Sequence, residues 1–407
     1  MKESAQMKEY NWQHRDWPNF IYDESGFRDV LYQYALEAGR LSGGVGQLQE
    51  DLQYEAIIDL MVSEAVKTSM IEGEHLNSDD VRSSIKNYLG LSEPYTRIAD
   101  PRVEGVAALM IDVRKGFSQA LTKEKLFQWH EMVLPKQDDR LFKVEINVGK
   151  FRDAVEPMQI VSGPIVYQKV HYQAPPSHQV EAEMDRFLSW YNASNPLNAD
   201  AQNIIPGPVR SAIAHLWFES IHPFDDGNGC VGRAIAEQAL AQDLGRPPLL
   251  SLSTAIESNK NAYYDGLHEA SKANMDITPW VDLFCRTILK AQKSAVANID
   301  FILSKSKFWA EYGEESLNKR QLKAVKKIFA AGVQGWEHGI SAKKYGALTG
   351  CSKATATRDL ADLLKKGCIT SLPGGGRNAR YALNLGERKL LNGEAQSLTE
   401  NLASEHA

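Results

Sequence analysis

The sequence predicts a mainly α-helical protein with one small β-hairpin in its larger part and a compact helix-plus-hairpin unit near its C-terminal end. Three observations carry that expectation. Apolar residues recur at helical spacing from about residue 28 to 300, where strand-like alternation is scarce. Short β-favouring runs flank Ser162-Gly163-Pro164, the pattern of an isolated hairpin. From Leu317 the helices shorten and turn basic, and a second Gly-rich turn separates two more β-favouring runs.

Length and composition set the bounds. At 407 residues the chain is too long for one ordinary domain. With 43% hydrophobic and 24% charged residues it has the balance of a globular protein rather than a disordered one. The net charge of −6 gives no global reason to expect nucleic-acid binding, although a local basic patch is compatible with it. Cys230, Cys285, Cys351 and Cys368 lie far apart and form no Cys-x-x-Cys pair. That spacing argues against a zinc ribbon or a disulfide framework and for a reducing compartment. No apolar run is long enough to span a bilayer, and the Met1–Glu9 stretch lacks the apolar core of a signal peptide. A cytoplasmic protein without membrane partners is the expectation.

Taken in order, residues 10–23 are aromatic-rich, with a turn signal at Trp17-Pro18-Asn19, and suggest an extended, partly buried lead-in. Gly43-Gly44-Val45-Gly46 reads as a break. Apolar residues at 48, 52, 56, 57, 60, 61 and 65 then predict a long amphipathic helix from Leu48 to Ile71 that ends at Gly73. Thr68 and Glu72 share a face of it. Glu72 sits in the last turn, where the helix dipole disfavours an anion, so the end is either solvated or met by a cation. An Asn77-Ser78 cap opens a helix through Leu89. Pro101–Phe117, Lys123–Val133 and Gln179–Ala193 are three more, with Gly149-Lys150-Phe151-Arg152 and the Met158–Tyr167 hairpin between them. Two strands alone are marginal in water, so the hairpin is expected to lean on the helical body and to offer an open edge for an extended peptide.

A helix over Val209–Ile221 leads straight into His222-Pro223-Phe224-Asp225-Asp226-Gly227-Asn228-Gly229-Cys230-Val231-Gly232-Arg233. Histidine can act as a base near neutral pH, and aspartate oxygen suits a hard divalent cation. Gly-Asn-Gly then enters the apolar-periodic run Val231–Leu244. Small residues ahead of a helix let backbone N–H groups turn toward an anion. Arg233, one turn further in, can reach a phosphate. Taken singly, His222 is more often a structural histidine than a catalytic one, Asp226 most often a helix cap and Gly-Asn-Gly often only a turn; their order points to a nucleotide phosphate cradle with its own base. No Walker loop, dinucleotide fingerprint or His-Glu-x-x-His helix is present. Pro247-Pro248 ends the following helix, and Asn259–Lys272 and Thr278–Ile302 complete the block.

The motif resembles the signature of the Fic (filamentation induced by cyclic AMP) family, His-Pro-Phe-x-Asp/Glu-Gly-Asn-Gly-Arg-x-x-Arg. Thr68-Ser69-Met70-Ile71-Glu72-Gly73 is similar to the family's inhibitory helix, here placed ahead of the core. The resemblance implies a Fic-type helical bundle and protein AMPylation, the transfer of AMP from ATP to a Ser, Thr or Tyr hydroxyl of a target protein or of the enzyme itself. On that reading His222 is the catalytic base and Asp226 holds Mg²⁺. Gly227, Asn228 and Gly229 form the anion nest, with the Asn228 side chain also on phosphate, and Arg233 binds the γ-phosphate. Phe224, Asp225, Tyr263 and Tyr264 are the remaining implied ATP-binding positions, although either tyrosine taken singly could equally be a core aromatic. Ile160, Val161, Ser162 and Gly163 fall where the family has its target-positioning flap. Glu72, with Thr68, is the implied inhibitory element, pairing with Arg233. The same glutamate positions water for AMP removal in some members, an alternative main activity.

Cys230 departs from the family arginine and cannot supply its charge or fork of donors. Its loss could cost on the order of 1.5–3 kcal/mol, roughly tenfold to a hundredfold in binding or rate. A rival reading follows from the C-terminal part: a DNA-binding regulator that senses nucleotide without transferring it. There Gln321–Ala331, Ser341–Leu348 and a Ser352-capped helix precede a hairpin of Ile369–Leu372 and Tyr381–Leu383. This is the layout of a winged helix-turn-helix, with Lys353, Arg358, Arg377 and Arg380 basic enough for phosphates. Such modules also dock proteins or dimerise. The expected domains are an N-terminal extension with the inhibitory helix (1–95), a catalytic core (96–303), a winged-helix domain (304–387) and a flexible tail (388–407), with a homodimer as the expected assembly.

Overall fold

A computed structural model gives the fold and describes residues 10–92, 94–134, 146–162, 169–198, 204–272, 274–332, 339–373 and 379–385. It is mostly helical, with two antiparallel two-stranded sheets among the described residues. The chain divides into two compact units, residues 1–296 and 297–407. The division falls inside one long helix, Thr278–Tyr312.

The first unit is built around two helices, α7 (Gly207–Ile221) and α8 (Asn228–Leu244), joined by a six-residue connection that carries the motif. Both are buried on every side, the condition of a helix at the centre of a bundle. Their apolar residues, Trp217 and Phe218 of α7 among them, join a core with Phe187, Tyr191 and Phe224. Burying side chains of this size contributes about 1.5–3 kcal/mol each. Around the pair lie α1 (Arg28–Gly46), α2 (Glu50–Ile71), α3 (Ser78–Tyr88), α4 (Pro101–Lys115), α5 (Lys123–Val133), α6 (Ser177–Ala193), α9 (Leu252–Glu257) and α10 (Lys260–Ala270). Their starts follow the local sequence. Asn77, Asp100, Thr122 and Ser251 each accept a hydrogen bond from a first-turn amide.

Three expectations need correction. The glycines at 43–46 do not break the chain; α1 runs through Gly46, because Leu41 and Val45, four apart, both bury against the body. The long helix expected to close near Ile302 continues to Tyr312, since Phe308 is needed in the core of the second unit. The hairpin is present as β1 (Gln159–Ser162), but its partner is β2 (Lys169–Gln173), beyond Ile165–Tyr167. The Tyr172 ring decides that register. It is buried, and its hydroxyl donates to the Ser220 carbonyl at 2.7 Å, tying the hairpin to α7. The Gly163-Pro164 turn and the expected second run Ile165–Tyr167 lie outside the described residues.

In the second unit, helices Lys319–Ala330, Ala342–Thr349 and Lys353–Lys365 precede the hairpin β3 (Ile369–Ser371) and β4 (Tyr381–Leu383). This is the helix, helix, helix, hairpin order read from the sequence. Asp359 is the polar centre of the unit, accepting from Arg320 Nε at 2.8 Å and Tyr345 Oη at 3.1 Å. Tyr345, Leu360, Leu363 and Ile369 fill the core around it. No helix among the described residues is long and apolar enough to cross a membrane.

Candidate active site

The site begins where α7 stops. His222 closes that helix in the left-handed region (φ 48°, ψ 61°), a conformation histidine tolerates better than branched residues do. Its amide still donates to Phe218 O at 2.9 Å. Its carbonyl accepts from Arg152 Nε at 2.8 Å, and the same guanidinium reaches Pro175 O at 2.5 Å and Ser177 Oγ at 3.0 Å. Arg152 thus pins the turn that presents the histidine. Burial pushes the guanidinium down to about 10. Sequence reasoning noticed the Gly149–Arg152 stretch but gave Arg152 no role; its carbonyl partners come from distant parts of the chain.

Burial, with help from the Arg152 charge, pushes the His222 imidazole down to about 4. It is therefore neutral near pH 7, the form a proton acceptor requires. Its Nδ1 is enclosed with no hydrogen-bond partner, and Glu219 Oε2 lies 3.8 Å away.

The loop that follows is shaped from within. The Asn228 amide turns back on Phe224, accepting from its N–H at 3.0 Å and donating to its carbonyl at 2.9 Å. The amide is thus engaged with the loop backbone, where the resemblance implied a phosphate contact. Phe224 is fully buried and stacks on His130 at 4.0 Å, so this implied ATP-binding position is a core residue. His130 in turn accepts from Gly149 N–H at Nδ1, 3.1 Å, and donates from Nε2 to Asp226 O, 3.0 Å. Asp225 accepts from the Asn147 amide at 3.0 Å, while Asp226 is exposed and receives the Gly227 N–H at 2.8 Å. Gly227 begins α8 with φ 77°, where any other residue would be strained. At Gly229 a Cβ would collide with the Glu72 carboxylate, so the missing side chain makes room for it.

That carboxylate belongs to the end of α2. Glu72 Oε1 receives Arg233 Nη2 at 2.8 Å; the same arginine donates to Thr68 Oγ1 at 2.8 Å and Thr68 O at 3.1 Å. The Arg233 side chain is 2% exposed and that of Glu72 36% exposed. Burial, the largest single cause, would depress the guanidinium, but the Glu72 charge and hydrogen bond together with Cys230 and Tyr263 hold Arg233 above its ordinary value. The helix end that lacked a cation in the local sequence therefore has one. Lys260 adds a second, donating to Ile71 O at 2.5 Å. No local signal points to Lys260, which meets α2 across a sequence separation of 189 residues.

Cys230 lies beneath this contact. Its Sγ is 3.5 Å from Arg233 Nη2 and 3.9 Å from Thr68 Oγ1. Burial pushes the thiol up to about 11, which leaves it protonated and a poor nucleophile.

One cleft of about 780 Å³ gathers most of the expected site. His222, Asp225, Asp226 and the Gly227-Asn228-Gly229 turn line one side, with Arg233 and Glu72 at one end. Tyr263 and Tyr264 face them from α10. Tyr264 is 42% exposed, whereas Tyr263 is buried with its hydroxyl 2.6 Å from His215 Nε2, which makes it as much a core aromatic as a wall of the cleft. Ile160 and Val161 of β1 also line the cleft and are partly exposed. Thr68 and Cys230 stand behind the wall rather than on it. Ser162 is placed by its pairing with Lys169, and Gly163 lies outside the described residues.

The fold and the cleft together define a helical protein whose central helix pair holds a glycine-opened helix N-terminus and a neutral histidine along one cleft. Residues 120–240 match the model of the Fic/DOC family, so this part of the chain carries a Fic/DOC domain. Residues 10–91 match a domain of unknown function, DUF4172. A protein adenylyltransferase Fic from Culex quinquefasciatus is 35% identical over 99 residues, covering 24% of this chain and 17% of that protein. A uridine 5′-monophosphate transferase from Xanthomonas campestris pv. campestris is 27% identical over 128 residues, 31% of this chain and 22% of that protein. The matched stretch thus spans less than a quarter of the length of either relative. Among solved structures, a Fic family protein from Desulfovibrio desulfuricans G20 superposes with a TM-score of 0.49 at 20% identity, covering 90% of this chain and 98% of that chain.

Proposed function

We propose that this chain is a nucleotidyltransferase that moves AMP from ATP to a hydroxyl of a protein target, and that Glu72 restrains it. The observation that carries the reading is the arrangement along one cleft of a neutral, buried histidine, an exposed aspartate and a helix N-terminus opened by Gly227. His222 would take the proton of the target hydroxyl as its oxygen attacks the α-phosphorus. The new O–P bond forms as the bond to pyrophosphate breaks, and the proton stays on the imidazole. Backbone N–H groups at the start of α8 would face the phosphates.

The residues present suit a divalent cation of the magnesium type, which favours one or two carboxylates completed by substrate phosphates and water. Asp226, exposed at the cleft, would be its protein ligand. When bound, the ion would neutralise charge on the departing pyrophosphate.

Restraint follows from competition. While Arg233 is held by Glu72 and Thr68 it is denied to the γ-phosphate. AMP removal by water held on Glu72 is an alternative main activity of the same arrangement.

The test is incubation with labelled ATP and Mg²⁺, comparing the parent, Glu72→Gly and Glu72→Gly with His222→Ala. Label that rises with the first change and vanishes with the second supports the reading. Absence of label in folded, ATP-binding Glu72→Gly protein would sink it. Labelled UTP belongs beside ATP, because the Xanthomonas campestris relative is named for a uridine nucleotide. The exposed Lys353 and Arg358 of the second unit favour the regulator reading, which predicts ATP binding without label and a salt-dependent gel shift on DNA.

A further inference from the structure

Glu219 has no part in the reading above, yet it occupies the inner wall of the cleft. It lies three residues before His222 on α7, on the same face of the helix. Its Oε2 is 3.8 Å from His222 Nδ1, and its other oxygen is enclosed without a hydrogen-bond partner. The Nδ1 atom is likewise enclosed and makes no hydrogen bond of good geometry, although the Glu219 main chain lies close enough to favour the protonated ring. Nδ1 and Oε1 are both sequestered from solvent, and the other oxygen of the same carboxyl stands about 0.6 Å beyond hydrogen-bond range of Nδ1; such atoms are costly unless some state of the protein satisfies them. With Nδ1 turned inward to Glu219, Nε2 is the nitrogen left for the cleft.

We propose that Glu219 is the positioning residue of the base: it closes onto His222 Nδ1–H, fixes the tautomer with Nε2 free, and holds the imidazolium that forms when Nε2 accepts the target proton. The proposal rests on the transferase reading. No proton passes to Glu219. The hydroxyl proton moves to Nε2, Nδ1–H stays on the ring, and the carboxylate supplies a facing charge. Distances of this kind are often long before substrate is bound and tighten in the working complex.

The surroundings explain why the pair is apart here. Glu219 faces Glu72 from the end of α2, Arg233 from α8, Tyr263 from α10 and Tyr172 from β2, while Arg152 faces His222. Burial first, and then the Glu72 charge, push the Glu219 carboxyl up to about 8; Arg233 works the other way. In this restrained arrangement acid and imidazole are both mostly neutral near pH 7. Withdrawal of Glu72 removes one of the two causes that hold Glu219 protonated, and it frees Arg233 to favour the carboxylate. The inhibitory glutamate therefore acts twice, on the phosphate arginine and on the partner of the base.

Gly232 makes room for this acid: a Cβ there would meet Glu219 Oε1 and crowd His215. The spacing Glu-x-x-His is visible in the sequence, but only the burial of both atoms gives it meaning.

The experiment compares Glu219→Gln and Glu219→Asp with their parent in the Glu72→Gly background, with melting and ATP binding measured for each. Labelling by Glu219→Gln should fall roughly tenfold or more with ATP affinity unchanged, and Glu219→Asp should recover part of it. The parent's rate should climb with pH through the ionisation of Glu219, at or below about pH 8, and the Gln variant should lack that rise. Equal rates and identical pH profiles would overturn the inference while leaving the transferase reading intact. A second readout does not need activity. Nitrogen NMR of His222 should show the Nδ1–H tautomer in the parent and a changed tautomer population or titration in Glu219→Gln. An unchanged His222 signal overturns the inference even if no variant is labelled, an outcome that would count separately against the transferase reading.

Discussion

The two ends of the cleft are held in opposite ways. At one end Arg233 is held through Nε and Nη2: Thr68 Oγ1, Thr68 O and Glu72 Oε1 all accept from it within 3.1 Å, and almost none of it meets solvent. At the other end His222 keeps an enclosed, unpartnered Nδ1, and Asp226 stands exposed. One end of the cleft is thus closed by contacts and the other left open. On the reading proposed above, a restraint at the closed end would be lifted by moving one helix terminus, with no rebuilding around His222 or Asp226.

Substitutions can break that contrast in order of expected effect. His222→Ala should remove labelling in the Glu72→Gly background by about 100- to 10,000-fold, because a positioned base contributes that much. The measurement is the initial rate of label transfer with ATP binding checked alongside. Glu72→Gly in the otherwise unaltered chain should raise labelling roughly tenfold to a hundredfold, the range for freeing a charge-assisted contact to phosphate. A rate equal to the parent's would show that the two ends are not separately controlled.

Thr68→Ala removes one neutral acceptor of Arg233 and leaves Glu72 in place. It should raise labelling about fivefold, the equivalent of one ordinary hydrogen bond of about 1 kcal/mol. If Thr68→Ala equals Glu72→Gly, the hydroxyl rather than the carboxylate is the main restraint.

The smallest effect concerns stability. Glu219 has an ordinary value of 4.5, which the fold raises to about 8, so the unfolded chain loses the proton first as pH rises. Whatever Glu219 contributes is fully present below about pH 4.5 and is lost as pH climbs toward about 8. Glutamine does not titrate. Glu219→Gln should therefore gain in melting temperature over the parent as pH rises through that window, and the gap should shrink toward pH 4.5. A constant gap would show that the acid is not held neutral in the fold.

Much of the fold was legible because its signals are local. Asn77 caps the helix that its position predicted, Asp100 and Thr122 cap the helices expected from Pro101 and Lys123, and apolar spacing marked the helices around them. The hairpin was found but its second strand was misplaced. β-favouring composition locates Ile165–Tyr167, while the pairing is set by Tyr172 anchoring to Ser220 on another element. The glycines at 43–46 misled for a related reason. Propensity argued for a break, and burial of Leu41 and Val45 outweighed it.

The site divides along the same line. A motif of twelve consecutive residues was enough to set His222 ahead of Asp226, Gly227 and Arg233, since a turn between two helices brings near neighbours in sequence together in space. Which of those side chains face the cleft is a matter of packing. Phe224 turned inward because a ring of that size gains more in the core, and Asn228 followed it to satisfy the buried backbone of the loop. Arg152, Lys260 and Glu219 acquire their roles from partners that α2, α7, α10 and the hairpin deliver. By itself the sequence determined the helices, their caps and the order of the chemical groups, because these depend on residues a few positions apart. The tertiary structure alone decided the charge states of His222 and Glu219 and the capture of Arg233, because these depend on burial and on facing charges from distant segments.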